Sequence, residues 1–137
     1  MWACGHNGNR QLGLNHSSHV KFPQLCEGLP PIQLICGGHH LSTFVDVDGK
    51  VWKSGNKKSA PELQEGLEGI IYAECSAHSI FLDSTGNVWV SGSNSEGQLG
   101  LAVNPFQPEV FLQKQASLPD LAWAQERFQK TKSARKK

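Results

Sequence analysis

The sequence predicts an all-β chain, an incomplete β-propeller of antiparallel four-stranded blades with a short C-terminal helix. Three observations carry this expectation. A Trp-x-x-Gly unit recurs at residues 2–5, 52–55 and 89–92. A Pro-x-aliphatic marker follows each one, led by Pro23, Pro61 and Pro108. Apolar stretches of period two, separated by glycine turns, fill the intervals. Short antiparallel strands repeating every forty to fifty residues or so are the signature of a propeller blade. A superhelical solenoid is the alternative, but its units are shorter or helical.

The elements follow in order. The chain opens on "WACG", a strand carrying Trp2, and Gly5 then permits a turn into the loop "HNGNRQLGL". Within that loop Leu12 and Leu14 alternate about Gly13, which sends both toward the neighbouring blade, and Gln11 is placed to bridge unpaired loop carbonyls. Pro23 leads an outer strand, where its missing donor faces solvent. "IQLIC" and "STFVDV" are apolar and β-branched strands on either side of a Gly-Gly turn. The Asp-Gly step of "DVDGKVW" reads as a hairpin leading to Trp52 and Gly55. "IIYAEC", "SIFLD" and "DSTGNVW" repeat the series up to Trp89 and Gly92, and the loop returns with Gln98, Leu99 and Gly100. The three tryptophans are expected to fill the layers between blades.

One irregularity decides between a repeated site and a repeated scaffold. The spacing from Pro23 to Trp52 nearly equals that from Pro61 to Trp89, whereas the step from Gly55 to Pro61 is far shorter than its counterparts. The middle copy has lost its "GQLGL" loop and kept its strands. Loops tolerate deletion better than packed strands, so the repeat is a scaffold. The units run over 1–29 (a partial blade), 30–67 (a blade with the shortened loop) and 68–112 (a blade and the start of the next). Residues 113–137 are left for a helix, begun by Ser117, Pro119 and Asp120, and a basic tail.

Function classes narrow by composition. Thirteen Lys and Arg against twelve Asp and Glu leave no whole-chain field directed at nucleic acid or membrane. Lys130, Lys132, Arg135, Lys136 and Lys137 concentrate charge at the C-terminus, as a frayed helix end, a nuclear address or a phosphate-binding arm. No apolar run approaches the roughly twenty residues that span a bilayer, and no secretory signal is visible. No membrane insertion is expected, and the cytoplasm or nucleus is the expected compartment. The four cysteines are far apart and form no Cys-x-x-Cys pair, which suggests reduced, partly buried thiols. His40 and His78 recur once per blade, a recurrence the repeat itself explains, so neither metal nor cofactor is expected. Cysteine, histidine and acid all fall at repeat positions, and no phosphate-cradling loop occurs; the chain is expected not to be an enzyme.

Residues 37–56, "GGHHLSTFVDVDGKVWKSGN", and 75–101, "CSAHSIFLDSTGNVWVSGSNSEGQLGL", resemble repeats of the regulator of chromosome condensation family. The likeness extends from residue 1 to about residue 112, with three departures. Cys75-Ser76 stands where Gly-Gly is usual, Arg10 replaces the glycine before Gln11, and the middle loop is missing. The resemblance implies a ring of about seven blades, where closure needs at least roughly four. The chain is therefore expected to be a shortened product of a longer protein, the alternatives being completion by other chains or an open arc with exposed edge strands. Its expected role is a non-catalytic scaffold that binds a protein partner. The alternatives are guanine-nucleotide exchange on a Ran-like small GTPase, the activity for which the family was named, and chromatin or nucleic-acid binding through the basic tail. Exchange needs a protruding wedge, and the one loop that varies here is shortened.

Overall fold

A computed structural model describes residues 1–115. The strands, in order, are β1 (Trp2–Gly5), β2 (Val20–Leu25), β3 (Ile32–Gly37), β4 (Leu41–Asp46), β5 (Val51–Gly55), β6 (Glu62–Leu63), β7 (Ile70–Cys75), β8 (His78–Asp83), β9 (Val88–Ser93) and β10 (Glu109–Gln115). They make one two-stranded sheet, β1-β2, and two four-stranded sheets, β3-β4-β5-β6 and β7-β8-β9-β10, each antiparallel with its strands in chain order. Phe44 faces Trp52 in one sheet and Phe81 faces Trp89 in the next, so both sheets repeat one register.

The Asp-Gly and Thr-Gly steps do what their chemistry predicts. Gly49 and Gly86, both at positive φ, donate their amides to Asp46 and Asp83 across tight hairpins. The last glycine of Trp-x-x-Gly has a different reason. Gly55 (φ 131°) lies so near β4 that a Cβ would sit 2.2 Å from the His40 carbonyl oxygen. Gly92 (φ 103°) is its counterpart, with a Cβ 2.8 Å from the Ala77 oxygen. No side chain fits either place.

The core lies between sheets. Val45 and Val51 from one sheet join Ile70 and Phe81 from the next, with Leu67 from the connection, and all five are buried. Leu34, Ala73, Trp89 and Leu112 pack around them. One sheet earlier Phe44 does the work of Phe81: it is buried, and a Cβ on Gly13 would lie 3.3 Å from its ring. Each sheet thus covers its apolar face with its neighbour, which is how propeller blades stack.

Two expectations need correction. The tryptophans do not fill the inter-sheet layers as a set, although Trp89 packs against the edge of the inter-sheet cluster. Trp2 is 66% exposed, Trp52 and Trp89 are half-buried, and Phe44 and Phe81 occupy the layers instead. For Trp52 and Trp89 the indole N–H explains the difference, because it needs an acceptor and finds one in the hairpin carboxylate of its own sheet, which holds the ring across that hairpin. The cysteines are not all thiols either: Cys36 and Cys75 form a disulfide, with Cα atoms 5.8 Å apart. They end β3 and β7, equivalent strands of stacked sheets, so the stacking closes a sequence gap of 39 residues. Cys4 and Cys26 remain free, and burial pushes the Cys26 thiol up.

The expected helix and the basic residues Lys130, Lys132, Arg135, Lys136 and Lys137 lie outside the described residues. Among the described residues no helix is long and apolar enough to cross a membrane.

Candidate functional site

The two long loops close on themselves through the same side chains. In the first, fully buried Asn7 donates from Nδ2 to the His16 carbonyl (2.7 Å) and accepts the Leu12 amide at Oδ1 (3.1 Å). In the third, buried Asn94 donates to the Leu101 and Ala102 carbonyls and accepts the Leu99 amide at 3.0 Å. Gln11 and Gln98 accept the amides of Asn9 (3.0 Å) and Glu96 (2.9 Å) at Oε1, while their Nε2 atoms bond His6 Nδ1 (3.1 Å) and Ser93 Oγ (3.3 Å). That differs from the expected bridging of carbonyls, which falls to Asn7, Asn94 and Gln115. Gln115 donates to the carbonyls of Leu99 and Gly100, both at 2.9 Å. Leu14 and Leu99 are buried, while Leu12 and Leu101 are half-buried. Gly5 (φ 115°), Gly13 (φ 77°) and Gly100 (φ 67°) supply left-handed turns around them.

Asp46 and Asp83 organise the hairpins and were not singled out by the sequence reading. Asp83 Oδ1 accepts the amides of Thr85 and Asn87 and the Thr85 hydroxyl, and Oδ2 accepts Asn87 Nδ2 and Trp89 Nε1, at 2.7–3.0 Å. Asp46 does the same with the amides of Asp48 and Lys50 and with Trp52 Nε1. Burial alone would raise both carboxyls, but these donors outweigh it and hold Asp83 at about 2 and Asp46 below its usual range. The signal was present: each aspartate precedes its tryptophan by the same interval. The recurring Gly-x-Asn at residues 5–7 and 92–94 marked the loop asparagines in the same way.

The seam between the first two sheets is different. Ser54 Oγ donates to the Arg10 carbonyl (2.7 Å) and the Lys57 amide to the Asn9 carbonyl (3.0 Å), while within the second sheet the Asn56 amide donates to the His40 carbonyl (3.2 Å). Asn9 Nδ2 adds a bond to His40 Nδ1 at 2.9 Å, and His39 stacks edge-on against His40. Arg10 (φ 60°), Asn56 (φ 50°) and Lys57 (φ 64°), all meeting here, are the left-handed non-glycine residues of the described chain. Between these loops lies an open cleft of about 390 Å³, bordered by Gly13 and Leu14 on one side and Ala60 and Pro61 on the other. The next seam is joined by Lys53, whose Nζ lies 5.6 Å above the Phe81 ring and 3.4 Å from Ser91 Oγ; burial lowers its pKa.

Comparisons place this architecture. The sequence profile described as "Regulator of chromosome condensation (RCC1) repeat" matches residues 1–45, and a second profile of the same description matches residues 76–98. The human E3 ubiquitin-protein ligase HERC2 is 30% identical over 120 residues, a match covering 73% of this chain and 2% of HERC2. Human WBSCR16 superposes on 84% of this chain with TM-score 0.67 at 17% identity. Prp20p of Saccharomyces cerevisiae, whose crystal structure is described with its binding to Gsp1p and histones, superposes on 87% with TM-score 0.63 at 14% identity. The chain spans about a third of each solved structure and a small fraction of HERC2. The fold is the antiparallel four-stranded blade of a β-propeller.

Proposed function

The chain is built from repeats of the regulator of chromosome condensation (RCC1) family, and on that premise we propose that it is a non-catalytic scaffold that binds a protein partner. One observation carries the reading. The polar side chains that recur with the repeat, Asn7, Gln11, Asp46, Asp83, Asn94 and Gln98, each bond within their own loop or hairpin. Residues committed to holding backbone in place are scaffold residues. The surface left for contact is made by loop positions that differ between copies, as the shortened loop after Gly55 does.

A small GTPase is the second reading for the partner, favoured by the likeness to Prp20p, a protein described with its binding to Gsp1p. Calorimetry with the purified chain, against a Gsp1p-type GTPase and against histones, measures binding. A nucleotide-release assay run alongside measures exchange. The scaffold reading expects saturable binding to a folded protein and an unchanged release rate. Accelerated release at micromolar chain would replace it with the exchange reading, and the lack of any folded partner in proximity labelling followed by calorimetry would remove it.

A further inference from the structure

We propose that Arg10 and Lys57 form an anion-recognition seam that takes a carboxylate-rich segment of a protein partner. The inference rests on the protein-binding reading and names the chemistry at one part of that surface.

A left-handed backbone costs an ordinary L residue on the order of 1–2 kcal/mol. The repeat avoids that cost elsewhere: at the position equivalent to Arg10, the third loop has Gly97 at φ 73°. Arg10, Asn56 and Lys57 accept it instead, and all three do so where the first loop meets the shortened loop of the next sheet. Two of the three carry a cation. Strain retained at one place, against a cheaper solution used by the same chain, marks a position kept for its side chain.

The surroundings fit that role. The backbones of both residues are fixed across the seam by the bonds from Ser54 and to Asn9. Lys57 and His40 are exposed and Arg10 is half-buried. Neighbouring Lys58 pairs with Glu62, whereas Arg10 and Lys57 have no ion pair among the described residues. An arginine fork takes a carboxylate through two parallel N–H bonds and a lysine takes one as a point charge, and the bond from the Lys57 amide to the Asn9 carbonyl brings the two backbones together. Two cations on a chain of net charge +1 suit a short acidic segment rather than the long phosphate track of a nucleic acid.

The test uses the full chain and a fluorescein-labelled oligoglutamate peptide, with fluorescence anisotropy read at low and high salt. Wild type binds the peptide, and salt weakens it. Arg10→Gly removes the charge and relieves the backbone, so it raises Tm while weakening peptide binding about tenfold, as expected for one lost charge-assisted bond. Lys57→Gly behaves likewise, and Arg10→Lys keeps part of the binding. A purely structural Arg10 would give the higher Tm with unchanged binding, which overturns the proposal. Tighter binding of an oligothymidylate of equal charge also overturns it and assigns the seam to nucleic acid. If oligoglutamate does not bind wild type, this inference fails, while the scaffold reading stands or falls on its folded partners.

Discussion

Asp83 shows how much one residue holds in this repeat. Its carboxylate accepts from two backbone amides and three side chains while only 7% exposed, and its pKa falls from 3.8 to about 2. A folded-state pKa below the unfolded value contributes stability that is complete above the unfolded pKa and is lost as pH falls through the folded one. The window therefore runs from about pH 4 down to about pH 2, and the contribution is on the order of 2 kcal/mol. Asp83→Asn should lower stability at neutral pH by about that amount, because an amide nitrogen then faces donors such as Trp89 Nε1. The same variant should flatten the acid limb of an unfolding curve followed by tryptophan fluorescence. An unchanged acid limb would show that Asp83 is not the group responsible. Gly55→Ala is the steric counterpart: with a carbonyl oxygen 2.2 Å from the new Cβ, it should cost at least about 2 kcal/mol in chemical denaturation.

At the scale of elements, strands and hairpins could be read from the sequence because their signals are local. Alternation in "STFVDV", the Asp-Gly step before Trp52 and the two "QLGL" strings each report a few neighbouring residues. What could not be read depends on two elements meeting. Cys36 and Cys75 look isolated until β3 and β7 stack, and Arg10 looks like a stray substitution until Lys57 reaches the same seam. Trp52 and Trp89 depart from the expectation for another reason: size predicts burial, but the indole N–H is held by Asp46 and Asp83 at the hairpins. The disulfide joins equivalent strands of adjacent sheets. Reduction, or Cys36→Ser, should therefore lower stability by roughly 2–4 kcal/mol, checked by urea melts with and without dithiothreitol. A melt insensitive to reductant would mean that the bond contributes nothing to the seam.

At the scale of the whole molecule, neither four-stranded sheet encloses a core of its own. Val45, Val51, Leu67, Ile70 and Phe81 make a single cluster across two sheets, so the two should unfold together. Phe81→Ala should cost about 3–5 kcal/mol and destabilise β3–β6 as well as its own sheet, visible as faster amide exchange in both. The proposed scaffold role draws on the same fact, since blades that stabilise one another can vary their loops independently. The most direct measurement is a double-mutant cycle between Val45→Ala and Phe81→Ala, read by equilibrium denaturation. Shared burial between the sheets predicts a coupling of about 0.5–3 kcal/mol, and strict additivity would contradict it.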